Sequence, residues 1–342
     1  MVNEGNMNTL TKTQNRNTTL DLLKLIAAFC VVFIHYKFFG KLGVVVDALG
    51  RVAVPLFFIT SGYYSLGNTV EKLKAKAIRL IKMFIVATLI YHTATVAVYL
   101  VQGEFAEIYT YLAQALNIKQ IIKFLCFNNT VSSTHLWFLL ALAYAYVVHI
   151  FATKLKLSNK MLTAYAVTAL SLHLILGNCL ELFDITVPHI YLRNFALMGY
   201  PFFIVGLVIR EHEHKIVNIK NSLLFALFCA GAVETLAIRY LTDFKELFLG
   251  TILMVFALFA VALKHPDVKL NGFAHTLCEC NLYIYLYHKL VGFVITKGLL
   301  FLHIDIEQSA LLTNLVAISV AVLSTALALI LYKTKTRNRK DA

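Results

Sequence analysis

Apolar residues run in blocks of about twenty along the chain, separated by short polar or charged stretches, and a block of that length spans hydrocarbon as a single helix. The blocks fall at Leu20–Phe39, Val52–Leu66, Met83–Val101, Leu136–Thr153, Met161–Gly177, Asn194–Ile209, Ser222–Tyr240, Leu247–Leu263, Ala274–Leu300 and Ser309–Tyr332. A backbone crossing lipid must satisfy its own hydrogen bonds, so the pattern predicts an all-α, polytopic bundle of about ten transmembrane helices. One further apolar run, Ile118–Phe127, is too short to cross and carries Lys119 and Lys123, which predicts a helix lying in the interface.

Composition agrees with the pattern. Hydrophobic residues make up 59% of the 342 positions and charged ones 14%, with a mean hydropathy of +0.74. A soluble domain carries roughly 25% charged residues, so none is predicted. The organisation read from the sequence is a polar tail over 1–19, a transmembrane domain over 20–332 and a basic tail over 333–342. The first tail is rich in Asn and Thr and has no small-residue cleavage site, so the first block reads as a retained span.

The net charge of +13 is unevenly distributed. One side of the predicted bundle collects 20 basic residues, from Lys12 and Arg16 through the Lys72–Lys82 cluster to Lys333, Lys335, Arg337, Arg339 and Lys340. The other collects 9, among them Arg51, Arg193, Arg239 and Lys245. Basic loops stay in the cytoplasm, which predicts that both termini are cytoplasmic and accounts for the charge without a nucleic-acid partner. Of the six cysteines, Cys126 and Cys179 are the two that the predicted topology could bring together at the outer surface. No cysteine or histidine spacing matches a metal site, and phosphate loops, nucleophile elbows and paired intramembrane carboxylates are missing.

Within the apolar blocks, a few ionisable residues stand out because each costs a few kcal/mol at membrane depth unless it faces a partner or a cavity. Lys24 and His35 share the first block, about 16 Å apart along a helix. His288 lies about 21 Å into the ninth block, at a depth close to that of His35. That coincidence points to one shared cavity, although each histidine alone fits a packed, hydrogen-bonded role equally well. Arg51 enters with the second block and either snorkels to the interface or reaches toward His35. Pro55 sits in that block's first turn, and Ser61-Gly62-Tyr63 near its end allows close helix approach. His135 and Trp137, the one tryptophan, open the fourth block; Trp137 fits either an interfacial anchor or a ring on which a sugar stacks. Lys72, Lys76 and Arg79 share a helical face that suits either anionic lipid or a phosphorylated ligand. Glu234 and Glu279 are lesser candidates, satisfied by ion pairs or water.

Taken in order, Leu20-Asp21 with Lys24 and His35, Arg51 through Pro55-Leu-Phe-Phe to Ser61-Gly62-Tyr63, the basic stretch through Arg79, His135-Leu-Trp137-Phe138, and Leu282-Tyr-Ile-Tyr285 ending in His288 resemble the acyltransferase-3 family of integral membrane acyltransferases. The resemblance covers nearly the whole chain. Lys24 stands where the family usually has arginine, which keeps the charge and loses the planar fork. No racemase half, found in some family members, is seen, so amino-acid racemisation is not expected.

The resemblance implies O-acyl transfer in a bacterial plasma membrane. The donor would be cytoplasmic acetyl-CoA or another acyl-CoA, acting as co-substrate with no permanently bound cofactor or metal. The acceptor would be a hydroxyl of an envelope glycan or lipid-linked molecule. It assigns catalysis to His35, Arg51 and His288, donor binding to Lys24, Lys76 and Arg79, and substrate binding to His135, Trp137, Ser61 and Tyr63, with His135 and Trp137 facing the acceptor. Two other readings share these residues: a transporter of a small polar solute such as an amino acid or glycan, and a non-catalytic partner in an envelope complex. Oligomeric state is not legible.

Overall fold

In a computed structural model, residues 16–130, 133–242, 244, 246–306 and 309–338 are described. The expectations for the first fifteen residues, Lys12 included, and for Lys245, Arg339 and Lys340 lie outside them. Among the described residues there are helices and no strands.

The chain runs through α1 (Thr18–His35), α2 (Gly40–Gly50), α3 (Ala53–Tyr63), α4 (Val70–Gln102), α5 (Phe105–Ala115), α6 (Ile118–Phe127), α7 (Trp137–Lys154), α8 (Asn159–Leu174), α9 (His189–Leu192), α10 (Tyr200–Glu211), α11 (Glu213–Ile216), α12 (Asn221–Leu241), α13 (Leu249–Lys264), α14 (Gly272–Phe301) and α15 (Ala310–Asn338). Eight helical stretches among the described residues are long and apolar enough to cross a bilayer, Gly40–Tyr63 counting as one. The shorter α13 and α10, with its lead-in Phe195–Gly199, account for the other two predicted spans.

Polar caps define where helices begin at the basic end of the bundle. The side chains of Asn17, Thr69, Ser158 and Asn271 accept backbone N–H groups in the first turns of α1, α4, α8 and α14. Cross-chain bonds tie the same end together: Asn17 donates to the Ala262 carbonyl at 2.9 Å, and Lys264 reaches the Ile219 carbonyl. At the opposite end, Asn314 accepts from the Phe39 N–H at 2.8 Å and Asn128 from the Phe195 N–H at 3.2 Å.

Two elements differ from the sequence-based expectation. The second span starts at Gly40 and not at Val52, so Gly40–Gly50 is a helix where a loop was expected. It is interrupted at Arg51–Val52 because Pro55 has no N–H to give to the Arg51 carbonyl, and the ladder resumes with Leu56 bonding Val52 at 3.0 Å. In the same way, Pro201 cannot bond the Leu197 carbonyl, and the wider π-helical turn Phe195–Gly199 leads into α10. The predicted interfacial helix is α6, with α5 beside it; neither has a buried residue.

Close approach of α3 and α10 depends on glycine. A Cβ on Gly62 would lie 1.9 Å from the Phe203 carbonyl oxygen, and one on Gly206 would lie 2.1 Å from that of Ile59. Reciprocal backbone contact at both positions holds the two helices face to face, as small residues do between membrane helices. Helix α1 packs against α2, α3, α13, α14 and α15, and its C-terminal residue, His35, meets α14 at His288.

Candidate active site

Three histidines from three elements meet where α1 ends. The ring centroids of His35 and His288 are 5.3 Å apart, those of His135 and His288 5.0 Å, and those of His35 and His135 6.2 Å. His288 is fully buried in α14, and its Nδ1 lies 2.7 Å from the Tyr285 carbonyl oxygen. A carbonyl accepts, so Nδ1 carries the proton and Nε2 is the acceptor nitrogen; that nitrogen is buried with no hydrogen-bond partner.

His135 is held by an opened turn of α14. The Tyr91 hydroxyl donates to the Leu286 carbonyl at 2.8 Å and accepts from the Leu290 N–H at 3.1 Å, two groups that a regular helix pairs with each other. The Leu286 carbonyl also receives His135 Nε2–H at 3.2 Å. His135 Nδ1 is thereby the basic nitrogen, and it too is buried without a partner. Buried polar atoms are ordinarily satisfied, so these two imidazole nitrogens are free to take a further partner.

His35 and His135 line a cavity of about 50 Å³ together with Arg51, Trp137, Arg193 and Glu246. Arg51 does not snorkel: its guanidinium donates to Asp47 at 2.6 Å, and Lys37 Nζ donates to the other Asp47 oxygen at 3.0 Å. Asp47 is 1% exposed, and these two cations neutralise it. Trp137 is 7% exposed and faces the cavity, so the interfacial-anchor reading fails; the Arg193 guanidinium lies 5.8 Å from its ring centroid. Arg193 also stands 4.0 Å from Glu246.

A second cavity, of about 500 Å³, opens toward the basic end and is lined by Lys24, Ser61, Tyr64, Lys76 and Arg79 and by Phe57, Leu80 and Leu142 among its apolar residues. Lys24 pairs with Asp21 at 2.6 Å; Arg16 bridges Asp21 and Glu279, which is how Glu279 is satisfied. Lys76 Nζ donates to the Tyr64 carbonyl at 2.9 Å. Phe138 and Tyr285 line both cavities.

The predicted residues thus fall into two groups. His35, Arg51, His135 and Trp137 share the first cavity, with His288 stacked behind His35; Lys24, Lys76 and Arg79 share the second. Ser61, a substrate-binding candidate, lines the second cavity with them. Tyr63 lines neither cavity: its hydroxyl donates to Glu213 at 2.9 Å and accepts from Arg210 at 2.9 Å, tying α3 to the α10–α11 corner. Glu234 accepts the Gly250 N–H at 2.7 Å, at the start of α13. The cysteines are all unpaired, Cys126 and Cys179 included. Sequence reasoning missed Asp47, Tyr91 and Arg193 as site residues. Asp47 alone had a usable signal, a carboxylate inside an apolar run four residues before Arg51.

Among the described residues no group of three or more His, Cys, Asp or Glu is arranged to hold a metal ion. A model of the acyltransferase 3 family, described as an acyltransferase domain, matches residues 17–333. No curated protein and no solved structure matches the chain.

Proposed function

The chain belongs to the acyltransferase 3 family of membrane acyltransferases, and we propose that it moves an acetyl group from cytoplasmic acetyl-CoA to a hydroxyl of an envelope glycan or lipid-linked acceptor in a bacterial plasma membrane. The observation that carries this reading is the pairing of two cavities across Phe138 and Tyr285. One is cationic and large enough for part of a nucleotide-bearing donor. The other holds a histidine cluster, an arginine and a tryptophan.

In this reading Lys24, Lys76 and Arg79 attract the donor's phosphates, and the thioester points toward His35. The acceptor hydroxyl enters beside Trp137. His35 takes the hydroxyl proton as the oxygen attacks the thioester carbonyl, and Arg51 faces the oxyanion that forms, a contribution of about 3 kcal/mol for one well-placed donor. The C–S bond then breaks, the new C–O bond remains, and the proton passes from the imidazole to the departing CoA thiolate. His288, stacked on His35, holds that ring in place and offers its open Nε2 as a relay. Membership of a transferase family favours acyl transfer over the solute-transporter reading.

The test is mass spectrometry of envelope glycans from cells with and without the protein, and with its His35→Ala variant. Loss of an increment of about 42 Da, one acetyl in place of a hydroxyl hydrogen, in both the deletion and the variant supports the reading. A folded His35→Ala protein that restores the increment overturns the role of His35.

A further inference from the structure

Between the donor-side cavity and the histidines stands a wall of three aromatic rings from three helices. Phe57 comes from α3, Phe138 from α7 and Tyr285 from α14. Ring centroids are 5.4 Å apart for Phe138 and Tyr285, 5.6 Å for Phe57 and Phe138, and 6.4 Å for Phe57 and Tyr285. On its far side the Tyr285 ring lies 5.7 Å from His135 and 6.2 Å from His288. Phe138 and Tyr285 line both cavities and so stand between the basic cavity and the histidine cluster, with Phe57 on the basic side.

The three rings are not equally fixed. Tyr285 is buried, and its hydroxyl donates to the His135 carbonyl. Phe138 is buried and packs edge-on against Phe58 at 4.8 Å. Phe57 is half-buried, faces the donor-side cavity and has no polar tether. A turn of Phe57 about its χ1 would widen the donor-side cavity where it meets the fixed Phe138 and Tyr285 rings.

We propose that Phe57, Phe138 and Tyr285 determine which acyl group the enzyme accepts, admitting a short unbranched acyl such as acetyl and stopping longer chains at Phe57. This rests on the reading of the basic cavity as the acyl-CoA site. None of the three rings takes or gives a proton or an electron pair in the transfer; they act on size. One methylene in a closely bounded apolar passage changes selectivity by roughly 10–200-fold, so a two-carbon difference in chain length falls within reach of such a wall.

The experiment uses the full chain purified into lipid nanodiscs, with acetyl-CoA and butyryl-CoA as probes and an envelope extract as the source of acceptor. Release of CoA is measured for wild type, Phe57→Ala, Phe57→Leu and Phe138→Leu. The expected result is an increase of about tenfold or more in the butyryl-to-acetyl rate ratio for Phe57→Ala, with a smaller increase for the two leucine variants. Active variants that keep the wild-type ratio overturn the wall as selector. Should Phe57→Ala fail to fold, the leucine variants decide by the same ratio. Wild-type protein that releases no CoA from either donor overturns instead the acyl-transfer reading itself, a separate outcome.

Discussion

His35, the last residue of α1, stacks on His288 in the middle of α14 with ring centroids 5.3 Å apart and planes 26° from parallel. Two residues 253 positions apart in the chain form one polar unit inside an apolar bundle. Side chains that act as a unit lose activity non-additively. His35→Ala is expected to lower the transfer rate by about 10²–10⁴-fold, and His288→Ala to lower it by a similar order. The double variant should then fall little below the worse single one. Initial rates with labelled acetyl-CoA give the cycle, and a strictly multiplicative loss contradicts joint action.

Asp47 is held by Arg51 and Lys37, and removing it leaves the Arg51 guanidinium without its carboxylate. Breaking one side of a buried ion pair costs about 3–5 kcal/mol, and the lower figure applies because Lys37 is half open to solvent. Asp47→Ala is therefore expected to lower the thermal unfolding midpoint in detergent. Lys37→Ala should lower it much less.

The span pattern was legible because lipid imposes block length on the sequence and Ser61-Gly62 marks a close contact by itself, whereas Pro55 reads as the start of a span and is the break within one. Tyr91 was not legible. It sits in an apolar run like many other tyrosines, and its insertion between Leu290 N–H and Leu286 C=O depends on how α4 crosses α14. Arg193 reads as one more loop cation until α9 and the π turn before α10 bring it over Trp137. His35, Arg51, His135, Trp137 and His288 were recoverable as candidates from membrane cost and motif order. The meeting of His35 and His288 was foreshadowed by their common depth; that His135 and Trp137 join them is tertiary information. The same holds for Tyr63, a substrate-binding candidate from its motif, whose hydroxyl bonds Arg210 and Glu213.

Lys24 offers its charge to the basic cavity while paired with Asp21, itself bridged by Arg16 to Glu279. A single cation at an electrostatic donor site acts chiefly on binding. Lys24→Ala is expected to raise KM for acetyl-CoA by about tenfold with kcat within about twofold, and added salt should narrow the difference from wild type. Lys24→Arg keeps the charge and should restore KM. A fall in kcat at unchanged KM would place Lys24 in the chemical step instead.

Glycine positions predict opposite signs of stability change. Gly62→Ala forces a methyl to 1.9 Å from the Phe203 carbonyl, where backbone on both sides leaves nothing flexible to move. It is expected to destabilise by at least about 1–3 kcal/mol, the ordinary cost of overpacking. Gly298→Ala, inside α14 with open space around its Cβ, should stabilise by about 0.5–1 kcal/mol. Thermal unfolding of both variants in one detergent checks the pair.

Trp137 supplies a flat apolar surface in the histidine cavity, with the Arg193 guanidinium 5.8 Å from its centroid and Glu246 beyond. A sugar ring binds such a surface through its C–H face, and arginine donates to its oxygens. Loss of the ring should therefore weaken the acceptor and leave the donor alone. Trp137→Ala is expected to raise the concentration of envelope extract needed for half-maximal acetyl transfer by about tenfold, while KM for acetyl-CoA stays within about twofold. Trp137→Phe keeps most of the surface and should recover part of that loss, and Arg193→Ala should act on the same side of the reaction. If Trp137→Ala instead weakens acetyl-CoA and spares the extract, the two cavities have been given the wrong occupants, and the direction of transfer through the bundle must be reversed.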